Sequence, residues 1–240
     1  MRYKRLLVKL SGEALMGQYE FGIDPTMVSN LAGALKDLRQ AGVEVGVVVG
    51  GGNLFRGAEL AEAGLDRVSA DHMGMLATVM NALALQDSLQ QLGTSAGVMS
   101  LLDMPQVCDR YTQRDARRRI ASGEIMIFAA GTGSPYFTTD TGASLRAIEI
   151  QADLMVKATK VDGVYDRDPV KHEDAIKFEQ LDFDQAIDQR LAVMDVAAMI
   201  LCNDNAMGLV VCNINEPGIL LSLAKGELVG TRVIPKEAKA

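Results

Sequence analysis

The stretch Val43-Glu44-Val45-Gly46-Val47-Val48-Val49-Gly50-Gly51-Gly52 decides how the rest of the chain is read. Its valines run almost unbroken over the length of one strand, which marks a strand buried on both faces rather than one with a wet side. Such a strand belongs to a parallel sheet covered by helices. It empties into three consecutive glycines, and in sheets of this kind ligands bind beyond the carboxyl ends of the strands.

Upstream, Leu6 to Leu10 predicts a second strand. Asp24-Pro25 then supplies a cap and a first-turn proline for a helix that buries Val28, Leu31, Ala32, Leu35 and Leu38 and closes at Gly42. Downstream, the period predicts a helix over about 71–92, a strand near 98–102 and a helix over about 113–121. An apolar strand over 125–130 runs into Gly131-Thr132-Gly133-Ser134-Pro135. A helix over about 140–151 with Asp140 as its cap follows, then a strand near 154–158 and a polar loop to about Lys177. Helices near 183–189 and 195–206 and a strand over 209–212 complete the pattern. Strands alternating with helices predict an α/β fold with an open, mostly parallel sheet sandwiched between helices. No Pro- or Ser-rich linker interrupts the chain, so residues 1–240 are expected to form a single domain.

Composition narrows the function. The chain carries 24 Lys+Arg against 31 Asp+Glu, a formal charge of −7, so it lacks the wide basic face of a nonspecific nucleic-acid binder. Any anion must be met by local groups. Cys108, Cys202 and Cys212 form neither a CxxC pair nor an even set, and His72 and His172 make no HExxH, so neither a zinc site nor a disulfide framework is expected. Met1 to Arg5 resembles a charged signal-peptide start, but the apolar run behind it is short and broken by Lys9. No segment reaches membrane-spanning length, and a cytoplasmic protein is expected.

The loops after the strands carry the candidate chemistry. In Gly50 to Gly57, glycines let backbone N–H groups approach an anion and Arg56 offers a forked contact to phosphate. A tight strand-to-helix turn is the plainer reading. A Walker A loop would need Gly-Lys-Ser/Thr where Gly57-Ala58-Glu59 stands. The dinucleotide fingerprint would need glycine at Phe55 or, starting from Gly131, at Tyr136. Lys9 interrupts an apolar strand. It is either an edge-strand lysine facing solvent or, in a central strand, a positive charge placed for phosphoryl transfer.

Gly131 to Asp140 combines flexible backbone, hydroxyls and the Tyr136-Phe137 pair, which suits a phosphate and a base; an Asx/ST-rich turn explains its Thr and Asp alone. In Lys160 to Pro169, Tyr165 could flank a base and Asp168 could accept ribose hydroxyls, although a surface turn ended by Asp-Pro fits equally. Arg117-Arg118-Arg119 reads as a solvated face or an oligomer contact. Met73, Met75 and Met80 read as an apolar helix stripe, and His72 beside Asp71 as structural.

Taken in order, these loops resemble the amino acid kinase superfamily, and within it the bacterial UMP kinases. The likeness rests on Lys9-Leu10-Ser11-Gly12-Glu13-Ala14-Leu15, on Gly50 to Gly57, and on Ala70-Asp71-His72-Met73-Gly74-Met75-Leu76-Ala77-Thr78 followed by Asn81-Ala82-Leu83. Gly131 to Asp140, Thr159 to Pro169 and Val193-Met194-Asp195 extend it over nearly the whole chain. The resemblance implies transfer of the γ-phosphoryl group of ATP to UMP in pyrimidine nucleotide biosynthesis, with Mg²⁺ held mainly by nucleotide phosphates. It implies that Lys9, Leu10, Ser11, Gly12, Gly52, Arg56, Thr159, Tyr165 and Asp168 hold ATP. Gly51, Asp71, Thr132, Gly133, Ser134, Pro135, Tyr136, Phe137, Thr138 and Thr139 would hold UMP, with Asp71 on the ribose side.

Lys9 is the implied catalytic cation, and Asp140 and Asp195 would orient it and the metal–phosphate assembly. Gly17-Gln18-Tyr19-Glu20-Phe21-Gly22 matches a segment tied to GTP activation in some members, with a hairpin turn as the other reading. A homohexamer inhibited by UTP is also implied. Two rivals stand beside this reading. A superfamily kinase acting on a carboxylate would lack the Asp71 to Thr78 segment. A non-catalytic nucleotide- or oxoanion-binding regulatory or storage protein would not need Lys9, Asp140 and Asp195 together.

Overall fold

The computed structural model describes residues 1–55 and 64–236. The decisive stretch forms β2 (Glu44–Val49), which pairs in parallel with β1 (Arg5–Leu10) on one side and β5 (Ile125–Ala129) on the other. Gly46 breaks the run of valines for a steric reason. A Cβ there would stand 2.8 Å from the Ile150 Cδ1 and 3.1 Å from the Phe128 ring.

The main sheet has nine strands in the order β4-β3-β5-β2-β1-β6-β10-β11-β9. The remaining members are β3 (Ala96–Ser100), β4 (Asp109–Arg110), β6 (Leu154–Thr159), β9 (Gln180–Asp182), β10 (Leu209–Asn213) and β11 (Thr231–Ile234). Among the described residues, only the β10–β11 pair of this sheet is antiparallel. Helices α1 (Pro25–Gln40), α2 (Arg67–Gln91) and α7 (Ile219–Lys225) cover one face, packing on Leu6, Val8 and Leu10. Helices α3 (Gln113–Ala121), α4 (Thr139–Glu149), α5 (Phe183–Asp188) and α6 (Val196–Asp204) cover the other, packing on Leu7. The α/β expectation therefore holds. Strand β1 lies mid-sheet, with β2 on one side and β6 on the other, so the crevice where ligands gather in such sheets opens at the ends of β1 and β6.

Several boundaries differ from the sequence expectation. Helix α2 starts at Arg67, one turn earlier than 71, because Asp66 accepts the Ser69 N–H at 2.9 Å and caps it. Asp71 therefore lies inside the helix. Thr138, not Asp140, caps α4 by accepting the N–H groups of Asp140 and Thr141. Strand β3 ends at Ser100, whose hydroxyl accepts the Leu102 N–H and turns the chain out of the sheet. The polar loop after β6 contains a short hairpin of β7 (Val164–Tyr165) and β8 (Lys177–Phe178). Residues 17–22 form turns between a 3₁₀ turn (Gly12–Leu15) and α1, with no flanking strands, so they are not a hairpin turn.

The basic run is less solvated than expected: Arg119 forks onto Glu124 and meets Asp109, and Arg117 donates to the Glu149 carbonyl. The methionine stripe divides, with Met75 buried and Met80 exposed.

Candidate active site

Lys9 alternates with Val8 and Leu10, so it shares a face with Leu7 and points toward α4. It is only 8% exposed, which excludes the edge-strand reading. Its Nζ lies 2.8 Å from the Asp140 Oδ1. A second lysine, Lys157 of β6, is its cross-strand register partner and places its Nζ 2.8 Å from the Asp140 Oδ2. Lys157 also donates to the Val193 carbonyl. Asp140 sits in the first turn of α4, where the helix dipole favours an anion, and its carboxylate holds the two ammonium groups together.

Burial alone would raise the Asp140 carboxyl, but the Lys9 and Lys157 charges outweigh it and hold the group below its ordinary value of 3.8. Burial pushes Lys157 below 10.5; Asp140 opposes that shift and Lys9 adds to it. A carboxyl whose folded-state pKa is depressed contributes stability that is present above its unfolded value and lost as pH falls through the folded one. The urea midpoint is therefore expected to drop as pH is taken below 3.8, and Asp140→Asn to flatten that acid limb. Denaturation curves at stepped pH check this.

Asp195 stands behind this centre. It caps α6 by accepting the Ala198 N–H at 2.9 Å and accepts the Thr141 hydroxyl at 2.9 Å and that of Thr138. It reaches Asp140 through the start of α4 rather than by touching Lys9.

The triglycine loop lies between the 3₁₀ turn and α2. A Cβ on Gly51 would stand 2.7 Å from the Gly74 carbonyl oxygen and 2.9 Å from the Ala77 Cβ. Gly51→Ala is expected to cost about 1–3 kcal/mol, because main chain rather than a movable side chain blocks it; the shift in urea midpoint measures it. Two buried asparagines clamp the loop. Asn53 and Asn81 exchange amide hydrogen bonds at 3.0 and 2.6 Å, Asn81 also donates to the Gly50 carbonyl, and Asn53 to that of Gly22. Segment 17–22 is thereby tied to the glycine loop.

Two cavities flank the lysine pair's end of the sheet. One, of about 250 Å³, is lined by Gly51, Asp71, Thr132, Ser134, Phe137, Thr138 and Thr139 from the set expected to hold UMP, with Phe55, Arg67 and Thr78 added. Gly52, expected to hold ATP, lines this cavity and not the one around Tyr165. Gly133, Pro135 and Tyr136 belong to the same loop without lining it, although the Tyr136 N–H donates to Asp71 at 2.7 Å. Asp71 pairs with Arg67 rather than forming a dyad with His72, which is exposed. Thr78 accepts the Ala130 N–H at 2.7 Å and so joins α2 to the loop after β5.

The other cavity, of about 420 Å³, is lined by Tyr165, Asp168 and their neighbours with Arg190 to Ala192 opposite. The Tyr165 hydroxyl donates to Asp162 at 2.7 Å, and Asp168 accepts the Val170 N–H. The Thr159 hydroxyl accepts the Val161 N–H. Leu10 is buried in the core, so only its main chain can serve a ligand; its carbonyl accepts the Gly50 N–H. Ser11 caps the 3₁₀ turn. Arg56 lies outside the described residues. A larger cavity of about 550 Å³ beside α1 contains none of the predicted site residues, so chemistry rather than volume selects the site.

Lys157 is the main residue that sequence reasoning passed over. Its signal was present: Leu154-Met155-Val156-Lys157 repeats the pattern of Leu6-Leu7-Val8-Lys9, a lysine ending an apolar strand.

The sequence profile of the amino acid kinase family matches residues 4–213. A uridylate kinase of Xanthomonas oryzae pv. oryzae is 55% identical over 233 residues, covering 97% of both chains. One of Stutzerimonas stutzeri is 56% identical over 232 residues, covering 97% of this chain and 94% of the relative. The crystal structure of UMP kinase from Bacillus anthracis superposes with a TM-score of 0.94 at 35% identity, covering 99% of this chain and 98% of that one. Profile, near-full-length identity and superposition agree with the lysine-bearing central strands and glycine loops, and the chain belongs to the amino acid kinase family.

Proposed function

We propose that this protein transfers the γ-phosphoryl group of ATP to UMP, giving UDP and ADP. The observation that carries the reading is the pair Lys9 and Lys157, converging on Asp140 at the sheet end flanked by two cavities. The cavity around Tyr165 and Asp168 takes the donor, and the one around Asp71 and Phe137 the acceptor, with Asp71 toward the ribose. One domain spanning the chain carries the reaction, since β1 and β11 belong to the same sheet.

Phosphoryl transfer asks for position and charge rather than a protein nucleophile. The acceptor phosphate oxygen attacks the γ-phosphorus in line, and the bond to the leaving ADP oxygen breaks. Lys9 holds a positive charge where negative charge spreads over the transferring group, and Asp140 keeps the Lys9 ammonium pointed there. Backbone N–H groups of the glycine loops supply further donors. Mg²⁺, when bound with ATP, offsets phosphate charge. Asp140 and Asp195 are committed to lysines and hydroxyls, so phosphates and water would be the main ligands of that ion.

No helix among the described residues is long and apolar enough to cross a membrane. We place the activity in the cytoplasm, in the supply of UTP and CTP, within a homohexamer activated by GTP and inhibited by UTP. ADP release from Mg-ATP with UMP, CMP, aspartate or acetylglutamate, with and without GTP, tests the reading. UMP-dependent release supports it; release with a carboxylate alone, or no release with any acceptor, replaces it with one of the rivals.

A further inference from the structure

Three groups meet in a closed circuit at the mouth of the acceptor cavity. The Arg67 Nε lies 3.0 and 2.9 Å from the two Asp71 carboxylate oxygens. The Tyr136 N–H donates to the Asp71 Oδ2 at 2.7 Å. The Arg67 guanidinium in turn covers the Tyr136 ring, 5.4 Å from its centroid. Tyr136 holds a φ of 70°, in the left-handed region that a non-glycine residue enters only at a cost. The hydrogen bond from its N–H and the cation over its ring offset that cost.

Helix energetics do not account for Arg67. It is the first residue of α2, where the positive end of the dipole disfavours a cation. The pair also runs cation-to-anion along the helix, the less favourable order for such spacing. What the placement does serve is the cavity, which both Arg67 and Asp71 line. Arg67 is its only cationic lining residue among the described ones. A phosphate-bearing acceptor must enter a cavity that already holds the Asp71 carboxylate, and Arg67 cancels that charge.

We infer that Arg67 is a positioning residue for the acceptor's ribose. It fixes the Asp71 carboxylate so that both oxygens can accept from a cis-diol, and it removes the repulsion between that carboxylate and the acceptor phosphate. The inference rests on the acceptor reading of Asp71 given above. It makes discrimination between ribose and 2′-deoxyribose acceptors a joint property of Arg67 and Asp71, because a site built to bond a hydroxyl rejects the analogue that leaves its polar group unpaired.

The test compares kcat/KM for UMP and 2′-deoxyUMP, and KM for ATP, in the wild type, Arg67→Gln, Arg67→Lys and Asp71→Asn. Arg67→Gln is expected to raise KM for UMP about tenfold, to shrink the UMP-to-deoxyUMP ratio, and to leave KM for ATP within about twofold. Arg67→Lys restores the charge without the fork and is expected to fall between the two. If Arg67→Gln leaves both the KM for UMP and the ratio unchanged while Asp71→Asn shrinks the ratio, the inference fails and the acceptor reading stands. If Asp71→Asn leaves the ratio unchanged, the acceptor reading of Asp71 fails and takes the inference with it. An Arg67→Gln enzyme with fewer active molecules but unaltered KM values and ratio also overturns it, since that is how a purely structural residue behaves.

Discussion

Lys9→Ala is expected to lower kcat about 10²–10³-fold while changing KM for UMP and ATP far less. The side chain lost is a buried cation at the end of the central strand, in a water-poor site where a charge placed ahead of the reaction counts for most. Folding should survive the change, because Asp140 keeps Lys157 as a partner at 2.8 Å and is not left as an unpaired buried anion. The measurement is steady-state kinetics beside a urea unfolding curve. A variant that keeps a near-normal kcat excludes Lys9 from the transition state, and one that unfolds shows that the pair is needed for the fold first.

Asp140→Ala is the harsher substitution. It leaves Lys9 and Lys157 facing each other across adjacent strands with no carboxylate between them. Removing one partner from a buried ionic cluster costs about 3–5 kcal/mol, mostly from the uncompensated charge that remains. Activity should fall with stability, since the Lys9 ammonium loses the group that aims it. The loss also carries a pH signature. Lys157 is already pushed below 10.5 by burial, and without Asp140 that shift deepens. A lysine depressed in the folded state binds fewer protons there than when unfolded, so its contribution improves as pH rises from the folded-state pKa toward 10.5. The variant should therefore gain stability on the alkaline side more steeply than the wild type. Urea midpoints at stepped pH decide it, and parallel curves for the two proteins would show that Asp140 does not offset the charges of the two lysines.

The residues in these two experiments were unequally legible beforehand. Lys9 announced itself as a charge inside an apolar strand, although its sequence neighbours leave open whether that strand is central or at an edge. Asp140 read as a helix cap, and a cap and a lysine partner share the same local pattern. Only the fold separates them: Thr138 takes the capping bonds and frees the Asp140 carboxylate for the lysines. Asp71 stands where the period starts the helix expected over about 71–92, and only the capping of α2 by Asp66 puts it inside the helix, where it lines the cavity. Lys157 carried the same signal as Lys9 and lay in the same kind of strand. Nothing in a linear pattern says that the two strands are neighbours.

The sequence by itself determined the layered α/β class, the central valine strand and the glycine loops that end the strands. Each follows from forces acting over a few residues: apolar periodicity, backbone freedom at glycine, and the spacing of caps. The tertiary structure alone decided which charges meet. The order of the sheet puts β6 beside β1, the alternation of side chains turns Lys9 and Lys157 to the same face, and the packing of α4 brings Asp140 between them. Those are contacts between segments far apart in the chain, set by how the helices cover the sheet, and no local propensity encodes them.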